Sequence, residues 1–382
     1  MKRLIVLGAS GSIGLSTAKV ARRLPGEMKI VGLAVNQSVG PLLEQVKEFG
    51  PEAVAVVDNA SADEVSTALP TGCRLHRGTR GLVDLVRETD ADMVLVAIVG
   101  TGGLEPALAA LETDKELAVA SKEILVMAGE AVMNLAKRKG LAVLPVDSEH
   151  NAIFQCLHEA PEREVRRLIL TASGGPFRQT KAEDLAKVTV AQALKHPTWD
   201  MGRKITIDSA SMFNKGLEMI EARWLFGVEM GRIEVIVHPQ SIVHSMVEFV
   251  DHSVLAQLSQ TDMCFPIQYA VTYPRRLPTG LPQLDFASLG QILFEAPDPV
   301  RFPALRLARE AGTVGGTLPA VMNAANEVAV ERFLQEKAGF PQIWETVERV
   351  MVAHENIASP DLGAIIQADQ WARKLAKEIL NK

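Results

Sequence analysis

Between Met1 and about Val146 the chain alternates short, continuously apolar runs with longer segments of helical periodicity, and this alternation restricts the fold more than any other feature. The runs are RLIVLG, KIVGLAV, AVAVVD, RLHRG, MVLVAIV, ELAVAS and LAVLPV. Between them lie IGLSTAKVARRL, VGPLLEQVKEF and LEPALAALE. A strand that is apolar at every position, and not merely at every second one, has both faces covered. Strands of that kind spaced by helices form a parallel sheet with helices on both sides. The pattern therefore predicts a doubly wound, Rossmann-like α/β domain over residues 1–146.

The pattern then changes. From 147 to 272 the runs RRLILTAS, RKITIDS, EVIVHP, SIVHSMVEF and SVLAQLS read as strands with fewer helices between them. This predicts an α+β domain with a mostly antiparallel sheet. Residues 273–299 are rich in Pro and Gly and read as a linker. Residues 300–382 are helical in pattern, through ALRLAREAG, LPAVMNAANEVAVERFL, QIWETVERVMVAHE and QADQWARKLAKEIL. A length of 382 residues exceeds what one core usually holds, so several domains are in keeping with it.

Charge and composition exclude some functions. A net charge of −6 gives no electrostatic footprint for nucleic acid or an anionic membrane. The start, MKRLIVLGASG, is basic, but its apolar run is too short for a signal peptide, and MVLVAIV is too short to span a bilayer. Cys73, Cys156 and Cys264 are an odd, scattered set. They fit neither a disulfide framework nor a thiolate metal site, which points to a reducing, cytoplasmic setting.

The first chemical motif is LGASGSIGLSTAKV. It places Gly8, Gly11 and Gly14 at the turn from the first strand into the first helix. Glycine there admits a pyrophosphate to the backbone, and the helix start offers free N–H groups. A tight turn that merely needs glycine is the bland alternative. The strand–turn–helix context favours a dinucleotide. An NAD site normally has an acid after the second strand. This chain has Val35-Asn36-Gln37-Ser38 there, which favours NADP, with Asn36, Gln37 and Ser38 as candidate partners of the 2′-phosphate.

The second motif is LPVDSEHNAIF. If the apolar run continues as a strand, Asp147 and Glu149 point the same way on either side of Ser148. Two such carboxylates repel unless a cation lies between them, and hard ions such as Mg²⁺ or Mn²⁺ take oxygen ligands. The alternative is a helix N-terminal region, where acids are favoured anyway. SASMFNKGLEMIEARWLF reads as a helix whose spacing places Asn214, Lys215 and Glu218 on one face. That face suits an anion bound beside a metal, although an ordinary solvated face fits the spacing as well, with Glu221 as a surface acid.

Polar turns complete the candidate set. LILTASGGPF ends a strand in Ser173-Gly174-Gly175, whose N–H groups could cradle an oxyanion. KHPTWDMGRK, about residues 194–203, combines His196, Pro197, Trp199 and Gly202 and reads as a lid, or else as a surface loop. Ser209 precedes the Asn214–Glu218 helix. Ser121, Lys122 and Glu123 stand at the carboxyl end of a sheet strand, where open α/β sheets bind ligands.

Taken together, GASGSIG, ASKE, LPVDSEHNAIFQ, SGGPF, HPTWDMGRKITIDSASMFNKGLEMIEARWLF, VHPQSIVHSMVEF and NAANEVAV resemble the 1-deoxy-D-xylulose 5-phosphate reductoisomerase family over essentially the whole chain. The resemblance implies conversion of 1-deoxy-D-xylulose 5-phosphate to 2-C-methyl-D-erythritol 4-phosphate, the committed step of non-mevalonate isoprenoid synthesis. It also implies NADPH, Mg²⁺ or Mn²⁺, and a cytoplasmic homodimer. By motif match the metal ligands would be Asp147, Glu149 and Glu218. Substrate contacts would come from Lys122, Ser148, Glu149, Ser173, His196, Ser209, Asn214, Lys215 and Glu218, with Trp199 closing over the substrate. The phosphate would fall to Ser173, Ser209, Asn214 and Lys215, with His196 alongside. Lys122, Asp147, Glu149 and Glu218 would be the catalytic group. Cofactor contacts would come from Ser10, Gly11, Ser12, Ile13, Glu123 and Gly202. Ser121 stands where the family usually has Asn, and residues 35–38 replace a common Ala-Gly-x-Asn, so both departures bear on the cofactor site. An ordinary NADP-dependent dehydrogenase, or a cofactor-sensing protein without turnover, would have no use for the acid triplet.

Overall fold

The computed structural model describes residues 1–158, 160–199, 201–278 and 280–381. By its contacts the chain divides into two units. One comprises Met1–Ile124, Glu130–Asn151 and Asp262–Pro282; the other comprises Leu125–Gly129, Ala152–Thr261 and Gln283–Lys382.

In the first unit the apolar runs are strands: β1 (Lys2–Leu7), β2 (Met28–Val35), β3 (Ala53–Val56), β4 (Arg74–Arg77), β5 (Met93–Val96), β6 (Glu116–Val119) and β7 (Val143–Pro145). They form one parallel sheet in the order β4-β3-β2-β1-β5-β6-β7. Leu4, Ile5, Val6 and Leu7 are at most 1% exposed, as a central strand covered on both faces requires. The order reverses at β1, between β2 on one side and β5 on the other. Ligands of doubly wound sheets bind at the carboxyl ends of the strands at such a reversal. The helix Cys264–Thr272 also belongs to this unit, and the Cys264 thiol, pushed by burial up to about 11, donates to the Ser16 carbonyl.

In the second unit β8 (Val165–Ala172), β9 (Ile233–Val237), β10 (Val243–Phe249) and β11 (Val254–Leu258) form a sheet in the order β11-β10-β8-β9. Its pairings are antiparallel except for β8 with β9. Leu168, Leu170 and Val247 enter a core completed by the helices Phe213–Phe226, Ala304–Val314, Leu318–Leu334 and Gln342–Val352. Leu318–Leu334 is buried around most of its circumference, so its many alanines allow neighbours to approach from several sides. Phe177, Phe333, Phe340 and Trp344 meet edge-to-face at ring-centroid distances of 5.1–5.5 Å.

One expected strand is a helix. RKITIDS, read above as extended, lies in the helix Arg203–Ala210. Its alternation of Ile and Thr is too short to fix a period of two. What decides is the environment, because Thr206, Ile207 and Ala210 bury one helical face, and the Thr206 hydroxyl donates to the Gly202 carbonyl four residues back.

Two histidines should make the second unit sensitive to acid. The His238 Nε2 accepts from the Ile242 and Val243 N–H groups, both at 3.1 Å, while Nδ1 donates to the Leu293 carbonyl at 2.8 Å. Burial holds His238 and His354 below the ordinary value of 6.5. Below that pH the unfolded chain binds protons that the folded one does not. Stability should therefore be fully present above about 6.5 and fall as the pH drops through it, by up to about 1.4 kcal/mol per pH unit for His238 and by less for the more solvent-screened His354. Urea midpoints measured from pH 8 to 5.5 check this, and a midpoint unchanged down to 5.5 would contradict it.

Candidate active site

In the first unit the glycine turn leaves β1 and enters the helix Ser12–Arg23. Two of its glycines have structural reasons. A Cβ on Gly8, whose φ is +93°, would lie 2.4 Å from the Ala97 carbonyl oxygen, and one on Gly14 would lie 2.4 Å from that of Ala9. Gly11 differs, since a Cβ there would meet nothing closer than the Gly8 oxygen at 3.4 Å. It is exposed at the N-cap without a side-chain cap, and its own N–H donates to the Gly8 carbonyl at 3.1 Å, so a ligand there would meet the N–H groups of the first helical turn. Ser10, Ser12 and Ile13 flank it at or near the surface. Asn36 and Gln37 are exposed after β2. Ser38 caps the helix Val39–Phe49 with no side-chain bond of its own to the helix.

The Ser121 hydroxyl donates to the Ile98 carbonyl at 2.5 Å, tying the end of β6 to the end of β5. Lys122 and Glu123 then open the helix Lys122–Lys139, both buried. The Lys122 Nζ lies 2.8 Å from Asp147 Oδ2, with the two side chains 7% and 13% exposed. The geometry of the acid pair differs from the strand-end expectation. β7 ends at Pro145 and a helix runs from Ser148 to Leu157, so Asp147 precedes the helix and Glu149 lies in its first turn. Ligand oxygens of Asp147 and Glu149 still lie within 4.8 Å of each other. The Ser148 hydroxyl donates to Glu149 Oε2 at 2.6 Å. A helix start favours acids electrostatically and turns them to one end of the helix, which serves as well as a strand would.

In the second unit the polar turns gather around His196. Its Nε2 lies 2.9 Å from Ser173 Oγ and 3.1 Å from Ser209 Oγ. Its Nδ1 accepts from the backbone N–H groups of Thr198 and Trp199, at 3.2 and 2.9 Å. A nitrogen that accepts two N–H bonds carries no proton, so the ring proton sits on Nε2, facing the serines. Trp199 is half-buried, with its ring 6.3 Å from that of His244. The 194–203 loop includes position 200, which lies outside the described residues. Gly202 is exposed at the start of the Arg203–Ala210 helix.

The helix Phe213–Phe226 carries the remaining candidates. Asn214 Nδ2 donates to Glu218 Oε1 at 2.6 Å, and Lys215 Nζ to Glu218 Oε2 at 2.5 Å. Lys215 is 3% exposed, and Glu218 and Glu221 are 0%. The solvated-face reading is thus wrong, and Glu221 is a buried acid, not a surface one. An ion pair taken out of water on a helix face costs stability unless something offsets it. The sequence pattern did not bring out Thr198, Ser241 and His244. The Thr198 hydroxyl is 3.4 Å from that of Ser241. The signal for Ser241 and His244 lay in the quoted VHPQSIVHSM stretch, where histidines and serines flank a strand start, and Thr198 lay in the quoted HPTWDMGRK stretch.

Three family models match the chain: 1-deoxy-D-xylulose 5-phosphate reductoisomerase over residues 4–129, its C-terminal domain over 143–226, and DXP reductoisomerase C-terminal domain over 258–375. The chain belongs to the 1-deoxy-D-xylulose 5-phosphate reductoisomerase family. Among reductoisomerases, that of Chlorobium limicola is 51% identical, with 100% of each chain covered. That of Caldanaerobacter subterraneus subsp. tengcongensis is 52% identical over 98% of each. Among solved structures, the Zymomonas mobilis reductoisomerase in complex with NADPH superimposes with a TM-score of 0.93, at 42% identity and 99% coverage of each chain. A DOX-P reductoisomerase in complex with NADPH, fosmidomycin and magnesium gives 0.94 at 38% identity, covering 100% of this chain and 98% of its own. The Rossmann-like sheet, the second sheet and the helical C-terminal region expected from the sequence are those of this reductoisomerase fold.

Proposed function

We propose that the chain converts 1-deoxy-D-xylulose 5-phosphate to 2-C-methyl-D-erythritol 4-phosphate with NADPH and Mg²⁺ or Mn²⁺, in isoprenoid biosynthesis. The full-length likeness to reductoisomerases, among them structures holding NADPH and magnesium, carries the reading. The residues fit both groups. Gly11 leaves the space that a pyrophosphate needs, and no acid stands at Asn36–Ser38 to repel a 2′-phosphate. Asp147, Glu149 and Glu218 form the metal's ligand set in this reading, all hard oxygen donors of the kind Mg²⁺ and Mn²⁺ take. The bound metal would polarise substrate oxygens as a Lewis acid, and NADPH would supply the hydride that reduces the rearranged aldehyde.

The chain's own groups do the positioning. Lys122 lies against Asp147 and directs it, and its ammonium is the group that would donate to a substrate oxygen that gains charge. Ser148 steadies Glu149. Ser173, Ser209 and the Nε2–H of His196 offer three groups to one phosphate, with Asn214 and Lys215 adding an amide and a charge. His196 also holds the backbone beside Trp199, so the residue that meets the phosphate also steadies the lid that excludes water. Ser10, Ser12, Ile13, Ser121, Glu123 and Gly202 complete the cofactor contacts in this reading.

The protein is read as a cytoplasmic homodimer. Among the described residues no helix is long and apolar enough to cross a membrane. The edge strand β11 exposes Val254 and Leu255 to 48% and 51%, and an exposed apolar edge is a surface that a second copy can cover. The function is tested by following NADPH oxidation at about 340 nm (the nicotinamide absorbance) with 1-deoxy-D-xylulose 5-phosphate. Turnover is expected with Mg²⁺ or Mn²⁺ and none after chelation. NADPH binding without turnover in added metal would refute the reading.

A further inference from the structure

The helix Arg203–Ala210 bears Ser209, yet little in its own sequence holds it in place. Helices this short are marginal by themselves, so tertiary contacts set where it lies and how it is rotated. On one side it seats against Gly175. A Cβ there would lie 2.9 Å from the Ser209 carbonyl oxygen and 3.0 Å from the Ala210 Cα, so the glycine is needed for the backbone to approach. On another side stands Asp208, 1% exposed. Its carboxylate takes Lys204 Nζ at 2.8 Å, from within the same helix, and Asn326 Nδ2 at 2.8 Å, from the helix Leu318–Leu334. The Lys204 bond cannot orient the helix against the rest of the unit, whereas the Asn326 bond can.

Asn326 is 0% exposed, and its Oδ1 has no partner among the described residues. Its amide must turn nitrogen toward Asp208, which leaves the oxygen without a donor. Burying an amide at that cost is hard to explain by packing, since Ala325 and Ala329 fill neighbouring positions of the same helix. It is explained if Asp208 needs the donor. Asp208 and Ser209 lie about 100° apart around the helix axis, so fixing the first fixes the second. A rotation of about 20° would carry an atom ~4 Å from the axis through about 1.4 Å. That would break the 3.1 Å approach of Ser209 Oγ to His196 Nε2.

We propose that Asp208 and Asn326 are positioning residues that hold Ser209 in the phosphate-binding group. The proposal rests on the assignment of Ser209 to the substrate phosphate. The test is steady-state kinetics of Asn326→Leu, which keeps the branched heavy-atom outline and removes the donor, beside Asp208→Asn and Ser209→Ala. Asn326→Leu should raise KM for the phosphorylated substrate about tenfold, with kcat within about threefold and KM for NADPH unchanged. Asp208→Asn keeps an oxygen for Asn326 to bond and should stay within about twofold of wild type. Ser209→Ala should raise the same KM. If Ser209→Ala raises it and Asn326→Leu does not, or if Asn326→Leu raises both Michaelis constants alike, the positioning role is overturned. An unchanged KM in Ser209→Ala would overturn the phosphate assignment instead, and the proposal with it. Should Asn326→Leu fail to fold, the smaller Asn326→Ala carries the same comparison.

Discussion

Asp147→Asn is expected to abolish turnover, by about 1,000-fold or more in kcat/KM, while leaving NADPH binding nearly intact. The substitution keeps the shape and removes one charge. Two things depend on that charge. One is the bond from Lys122 at 2.8 Å, which holds a nearly buried ammonium. The other is the strength of an oxygen ligand to a divalent ion, which falls when a carboxylate becomes an amide. A loss of about 4 kcal/mol in transition-state stabilisation corresponds to that factor. The backbone should survive, because the bond from the Asn151 N–H to residue 147 uses the carbonyl and not the side chain. NADPH fluorescence titration and thermal unfolding separate loss of chemistry from loss of fold. Full activity in the variant, or activity indifferent to chelator, would sink the three-carboxylate assignment.

That experiment bears on a residue the sequence identified for a partly mistaken reason. The pair Asp147 and Glu149 was read from a strand that stops two residues too early. The closeness of the two carboxylates was legible because acids two apart after a parallel strand reach the same sheet edge whether the chain stays extended or turns into a helix. The doubly wound sheet was legible for a simpler reason. Fully buried strands are apolar at every position, and no other pattern of that length competes with them. The helix Arg203–Ala210 was not legible, since its β-branched residues favour a strand and only contacts remote in sequence override them. The burial of Lys215, Glu218 and Glu221 was hidden for the same kind of reason. Three charges and an amide along one helix look solvated until something distant in sequence covers them. Asp208 and Asn326, separated by 118 residues, carried no local signal.

Lys215→Ala should raise KM for the phosphorylated substrate about tenfold or more, with little change in KM for NADPH. A charged hydrogen bond to phosphate is worth roughly 1.5–3 kcal/mol, and every 1.4 kcal/mol or so is a factor of ten. The burial of Lys215 sharpens the prediction, because its ammonium also answers the Glu218 carboxylate at 2.5 Å, with side chains 4% and 0% exposed. Removing it leaves that carboxylate buried, with the Asn214 amide still bonded to it at 2.6 Å. Breaking a buried pair from one side costs about 3–5 kcal/mol of stability, and the Asn214 bond should keep the loss near the lower end. The variant should therefore be less stable but folded, and added divalent metal should restore stability more in Lys215→Ala than in wild type, since a metal on Glu218 replaces the lost positive charge. Inorganic phosphate provides the independent check, as a competitive inhibitor of the wild type that should lose most of its effect in the variant. Unchanged inhibition by phosphate, or a sulfate bound in a crystal away from Ser173, Ser209 and Lys215, would refute the assignment of Lys215 to the phosphate and leave it as the structural partner of Glu218 alone.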